Sequence, residues 1–298
     1  MNLIGELAAL ATSFFFALTA LIFTMTGRMV GSQVTNLMRL TFALIYLIIL
    51  NLILFREPLP FSADSSRWMW LSLSGIIGLS LGDALLFQSF ISIGPRLGTL
   101  LLSLAPIFGS IMAWIFFGEI LTALQITGIV LALAGIAWVI TADEEPPNTP
   151  RGHTRRGVIF GVLGGLGQAV GLVLSKQGLF GEFSPFQANT IRTLAAVIFI
   201  WVLAAFEGKA GASFTALKEN PKVIRLLALG ALVGPVLGVS ASLLAVQHAQ
   251  IGVASTLMAL PPVIILPFSY FVFKEKIGWQ AVVGTVLSIA GVAILFLA

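Results

Sequence analysis

Asp83 is the residue best placed to do chemistry in this chain, because it stands in Leu81-Gly82-Asp83-Ala84-Leu85 with only apolar residues around it. A carboxylate in such surroundings needs a cation, hydrogen-bond donors or water. It has three readings: a proton-coupling or substrate-amine site, a structural ion pair with Arg39, Lys176 or Arg192, or an interfacial group. Arg39 and Arg192 each follow an asparagine by three residues (Asn36 and Asn189), so amide and guanidinium share one helical face. The planar guanidinium fork suits a carboxylate or phosphate; equally, it ties neighbouring helix ends or reaches the headgroups. Gln168 lies in a glycine-rich apolar run, either as substrate ligand or as interhelical glue. Gln88, Ser89, Gln177, Gln247, His248 and Lys176 fall nearer the ends of apolar runs, and Trp114 is a candidate cavity wall.

These residues do not assemble into an enzyme. An aspartyl protease needs two carboxylates in one site, and no second aspartate follows Leu81-Gly82-Asp83 in any apolar run. HExxH and Walker patterns are absent. With no cysteine and two histidines the chain predicts no metal site, no cofactor and no disulfide framework. Its bases, though they give +4 net charge, are scattered singly, with no stripe to follow a nucleic-acid backbone. A channel would want charge rings or a filter in a symmetric oligomer.

The elements that position these groups follow from composition. Only 9% of the 298 residues are charged and 58% are hydrophobic, against about 25% charged in a soluble domain. Too few polar side chains exist to cover a water-facing surface, so lipid is the solvent. A bilayer core takes about 20 apolar residues per helix, and ten runs fit, near 3–25, 33–55, 67–91, 97–117, 123–141, 157–179, 185–206, 221–247, 250–273 and 279–297. They are continuous and do not alternate, which argues against a barrel. The first is too long for a signal peptide and is expected to stay as a span. Residues 142–156, with three prolines and six charges, form a linker at mid-chain.

The halves repeat. Asn36-Leu-Met-Arg39 pairs with Asn189-Thr-Ile-Arg192 at an offset of 153. At 156, Pro106 meets Pro262, Glu119 meets Glu275, Gly128 meets Gly284 and Gly135 meets Gly291. The counterpart of Asp83 is Val239 and that of Gln168 is Phe15, so the shared scaffold requires neither polar group. Five spans per half is an odd number, which turns the second copy over in the membrane and predicts an inverted repeat. The division is residues 1–141, the linker 142–156, and residues 157–298.

The run from Pro106 through Phe117-Gly-Glu119 to Gly128 and Gly135, repeated from Pro262 through Glu275 to Gly284 and Gly291, resembles the EamA-type repeat of the drug/metabolite transporter superfamily. That resemblance implies an all-α polytopic protein of ten transmembrane helices, two inverted five-helix repeats around a central cavity, with the fifth helix of each at the periphery. It implies a secondary transporter working by alternating access, with a small-molecule substrate, possible proton coupling and a bacterial inner membrane as its setting. Export of small polar metabolites, amino acids first, is the expected function. Nucleotide sugars, sugar phosphates and lipophilic drugs are the alternatives within transport, and a lipid flippase or membrane scaffold the alternatives outside it. The expected state is a monomer or weak homodimer, with no nucleic acid bound.

Glu119 and Glu275, at matched ends of the fourth span of each half, are expected to accept hydrogen bonds at the start of the next helix. Gly128, Gly135, Gly284 and Gly291, spaced by seven, should let spans five and ten pack closely; Gly157, Gly161 and Gly165, spaced by four, do the same for span six. Pro106, Pro235, Pro262 and Pro267 should interrupt helices at mid-depth. Odd-numbered loops hold eleven Lys and Arg against two in the even ones, which puts the termini outside, whereas the family often keeps them in the cytoplasm.

Overall fold

In lipid every backbone N–H and C=O must be satisfied within the chain, which leaves continuous helices as the solution for apolar runs. The computed structural model describes residues 3–117, 122–142, 153–181, 183–248, 257–273 and 278–297, and among them it holds helices and no strands. Helix α1 spans Leu3–Val30 and α2 spans Ser32–Phe55. Helix α3, Ser65–Ser74, begins where Asp64 accepts from the Arg67 backbone N–H at 2.9 Å, an N-cap. It runs through a π-helical stretch, Gly75–Gly82, into α4, Asp83–Leu102. Then come α5 (Leu104–Phe117), α6 (Ala123–Ala142), α7 (His153–Gly178) and α8 (Pro185–Phe206). A short helix, α9 (Ala210–Glu219), precedes α10 (Pro221–Ala231). A second π-helical stretch, Leu232–Gly238, leads into α11 (Val239–His248), and α12 (Pro261–Phe273) and α13 (Trp279–Leu297) complete the chain.

Among the described residues seven helical stretches are long and apolar enough to cross a membrane, and Pro261–Val272 and Trp279–Leu295 are shorter apolar helices. One of the seven, Ser65–Leu102, has 38 residues, or about 57 Å at 1.5 Å per residue, too long for one crossing of a core about 30 Å thick. Gly94, at φ 82° and ψ 163°, breaks it just before Pro95; glycine supplies the left-handed backbone and proline restarts a helix at its first turn. The fourth apolar run is therefore two helical pieces that meet at Ser103. Pro106 and Pro262 do not bend helix interiors. Each lies in the first turn of its helix, where a missing N–H costs nothing. Of the four prolines expected to break helices, Pro235, in the π-helical stretch, and Pro267, inside α12, lie within a helix. The amphipathic α9 was not expected between apolar runs.

The two π-helical stretches fall at equivalent places: Gly78, Gly82 and Asp83 stand 156 residues before Gly234, Gly238 and Val239. A wider turn at the same depth in both halves is thus part of the repeated unit.

Close packing rests on glycine. A Cβ on Gly128 would lie 2.7 Å from the Gly291 carbonyl oxygen, and one on Gly135 2.6 Å from that of Gly284. Gly128 meets Gly291 and Gly135 meets Gly284, in opposite order along the chain, so the repeat equivalents α6 and α13 cross antiparallel. A second crossing joins α7 to the first π-helical stretch: a Cβ on Gly167 would come within 2.8 Å of the Gly82 Cα, and one on Gly171 within 2.9 Å of the Gly78 Cα. Both pairs are spaced by four, the geometry that brings membrane helices together.

Contacts at the helix ends fix which loops share a side. Glu207, after α8, accepts from Gln33 Nε2 at 2.7 Å and Lys209 Nζ at 2.8 Å, at the start of α2. At the other end Arg67 donates to the Phe180 carbonyl at 3.1 Å. The loop after α1 lies beside the one after α8, and the loop before α3 beside the one after α7. Outward faces are apolar, with Ile53, Ile115, Phe206 and Phe271 exposed, as a lipid-facing surface requires.

Candidate functional site

A π-helical turn loosens the carbonyl ladder, and in lipid the loosened oxygens must find other donors. In the first repeat three consecutive carbonyls are served by side chains from two helices. Gln168 Nε2, from α7, donates to Gly78 O at 2.9 Å. Arg39 Nη2, from α2, donates to Leu79 O at 3.0 Å, and Asn36 Nδ2 donates to Ser80 O at 2.8 Å. The repeat explains why asparagine recurs: Asn189 Nδ2 donates to Pro235 O at 2.7 Å in the second π-helical stretch and to Ser240 Oγ at 3.1 Å.

Asp83 begins α4 directly after that turn, and its two oxygens are both taken. Arg39 Nη2 is paired with Oδ2 in a short ion pair, and Gln168 Nε2 donates to Oδ1 at 2.7 Å. Arg39 is fixed further by Asn36, whose Oδ1 accepts from its Nε at 2.9 Å, and by the Phe87 ring 4.7 Å below its guanidinium, with Phe23 at 5.6 Å. The three-residue spacing of Asn36 and Arg39 thus works within one side-chain network. Of the readings of Asp83, the geometry is that of the ion pair with Arg39.

The network borders a cavity of about 80 Å³ between the halves, room for several waters at about 10–15 Å³ each. Arg39, Asp83 and Gln168 give its polar face, and Phe16, Phe23, Phe87 and Phe90 an aromatic one. Gly234, Pro235, Val239 and Pro261 supply the second repeat's side.

The other candidate residues go elsewhere. Arg192 is buried on α8 without lining the cavity. Gln88 accepts from Ser32 Oγ at 2.7 Å and lines, with Ser92 and Arg156, an open groove of about 290 Å³ at the ends of α4 and α7. That groove is larger than the central cavity, but it has no carboxylate and opens outward. Trp114 is 54% exposed on α5 and forms no part of the cavity wall, a correction to the expectation from sequence. Lys176 and His248 are exposed at helix ends. Glu119 and Glu275 lie outside the described residues.

Sequence reasoning missed the aromatic wall and the role of the main-chain carbonyls. Phenylalanine is common in any lipid-facing run, so Phe23 and Phe87 carry no signal of their own. The glycines around Asp83, at Gly78 and Gly82, were a usable one.

Compared with known proteins, the chain matches the model of the EamA-like transporter family twice, over residues 3–141 and 155–297. It belongs to that family. It is an integral membrane protein of the drug/metabolite transporter type, built from two EamA-like repeats, and the Arg39–Asp83–Gln168 network joins the first repeat to the second. No curated protein matches it. Among solved structures, one crystal structure, described only as that of a protein, is 17% identical, with a TM-score of 0.65 over 100% of this chain and 98% of that one. The likeness shows the fold.

Proposed function

We propose that this EamA-like chain is a secondary carrier that exports small polar metabolites, amino acids first, by alternating access between two inverted five-helix repeats. The observation that carries the reading is the Arg39–Asp83–Gln168 network opening onto a small aromatic-walled cavity between the halves. A bound amino acid offers a carboxylate to guanidinium and an ammonium to carboxylate, and its side chain suits the phenylalanine face. Ionisable groups buried at membrane depth beside a cavity mark substrate or ion pathways, which favours a carrier over a membrane scaffold. Ten spans and inversion are supported by the antiparallel α6–α13 crossing and by the loop pairings at either end. The repeats are residues 1–141 and 157–298 with the linker 142–156 between them, acting as a monomer or weak homodimer in a bacterial inner membrane.

Proton coupling through Asp83 requires that its bond to Arg39 open during the cycle. A substrate carboxylate that competes for Arg39 would open it, linking substrate binding to protonation. Thermal-shift screening of purified protein against amino acids, nucleotide sugars, sugar phosphates and lipophilic cations tests the substrate. Stabilisation by amino acids is expected; stabilisation by sugar phosphates alone would overturn it.

A further inference from the structure

The open groove at the ends of α4 and α7 has no part in the central network. Its volume of about 290 Å³ is close to the lower end of ligand sites, about 300–1,000 Å³, whereas the central cavity has about 80 Å³. Gln88, Ser92 and Arg156 form its polar head, and Ile159 and Phe160 its apolar side. Arg156 is exposed and, among the described residues, makes no hydrogen bond or ion pair. A Cβ on Gly157 would lie 2.9 Å from Ser92 Cβ, so Arg156 leaves α7 beside Ser92. Gln88 Oε1 accepts from Ser32 Oγ at 2.7 Å, which leaves Nε2 as the donor; it lies 3.5 Å from Ser92 Oγ and has a second N–H to give. The first turn of α7 has two arginines and no acid, at the end of a helix where the dipole favours an anion.

Beyond the polar head the surface stays apolar. Ile159, Leu163 and Leu166 are exposed on α7 at spacings of four and three, one helical face that runs from the groove toward mid-membrane. A ligand with an anionic head and a hydrocarbon tail matches both parts. None of the lining residues is a carboxylate, so an ammonium on the head would meet only Arg156 and the exposed Arg155 beside it. The groove also lies at the end of the molecule that carries the Lys- and Arg-rich loops, since Ser32 adjoins Gln33, whose Oε1 accepts from Lys209 Nζ at 3.1 Å. An anionic leaflet attracts such an end. We propose that the groove binds an anionic phospholipid of the phosphatidylglycerol class. Its phosphodiester sits on Arg156 and Gln88 Nε2, and an acyl chain follows Ile159, Leu163 and Leu166. The lipid bridges α4 of the first repeat and α7 of the second, whatever the carrier transports.

The full chain in neutral detergent micelles is titrated with dioleoyl phosphatidylglycerol, dioleoyl phosphatidylcholine, inorganic phosphate and sn-glycerol 3-phosphate while its melting temperature is followed, since a ligand of the folded state raises it by mass action. A saturable rise with phosphatidylglycerol, at a midpoint concentration about tenfold or more below that of phosphatidylcholine, is expected, with no rise from the soluble phosphates. Hydrogen bonds from a charged donor are worth about tenfold or more, so Arg156→Gln should raise the phosphatidylglycerol midpoint by that factor and Arg156→Lys by less. Arg155→Gln, adjacent but outside the groove, removes only diffuse charge, worth about fivefold at most. If Arg156→Gln does not fold, Ser92→Asp, which gives Arg156 an internal anion, should weaken phosphatidylglycerol binding by the same factor. Equal midpoints for the two lipids overturn the site, as does equal weakening in Arg155→Gln and Arg156→Gln, or a midpoint unchanged in Arg156→Gln or Ser92→Asp. Equal stabilisation by the soluble phosphates overturns the lipid assignment.

Discussion

Replacing Arg39 by methionine and Asp83 by valine, singly and together, tests whether the pair is held as the geometry says. Each single change strands the other charge in an apolar interior, which costs about 3–5 kcal/mol when a buried pair loses one partner. Additivity would then place the double variant about 6–10 kcal/mol below the parent. The pair removed as a unit strands neither Arg39 nor Asp83. What remains lost is the donor to Leu79 O, the Nε bond to Asn36, the Gln168 bond to Asp83 and the stacking on Phe87. An unsatisfied carbonyl costs about 1–3 kcal/mol, so the double variant should be no less stable than either single one. Contacts that Arg39 makes with groups other than Asp83 are lost in both the single and the double, and cancel in the cycle. The readout is reversible denaturant unfolding in mixed micelles, followed by fluorescence of the six tryptophans. A double variant as unstable as the sum of the singles would refute the pairing.

Other outcomes follow from the same geometry. Gly167→Ala and Gly171→Ala, whose new methyls would press within 2.8 and 2.9 Å of the opposite backbone, should lower the melting temperature and folded yield sharply. Gly109→Ala, with nothing within 4 Å of its Cβ, should not. Asn36→Ala and Asn189→Ala each strand a π-helix carbonyl, a loss of about 1–3 kcal/mol; Asn36→Ala should be the worse, since it also releases Arg39 Nε. Hydrogen bonds from Lys209 and Gln33 hold the Glu207 carboxyl below the usual carboxylate range. Its contribution is present above the unfolded pKa and lost as pH falls through the folded one. The group is exposed, so a Glu207→Gln variant should differ from the parent only slightly in its acid-side melting curve, and a large difference would contradict the assignment.

How much of this was legible in the sequence depended on what repeats. The apolar runs, the repeat and the close approach of Gly128, Gly135, Gly284 and Gly291 were readable because spacing in sequence maps directly onto a helical face. The short distance between Asn36 and Arg39 was readable for the same reason. That Arg39 rather than Arg192 holds Asp83 was not, because the choice depends on how α2 and α8 sit around one turn, and local spacing contains no such information. The π-helical stretches also escaped notice. Their glycines and Pro235 look like ordinary packing residues until the carbonyls they loosen are seen to meet Gln168, Arg39, Asn36 and Asn189. Trp114 was misplaced because aromatic character alone does not say whether a face looks at lipid or at a cavity.

The central claim is that a carrier works through the Arg39–Asp83 pair at the cavity. Amino-acid counterflow in proteoliposomes, comparing the parent with the charge-free Arg39→Met/Asp83→Val variant, tests it most directly. The account predicts saturable flux in the parent and none in a double variant that remains folded. Equal saturable flux in both, or only non-saturable leak in the parent, would contradict it.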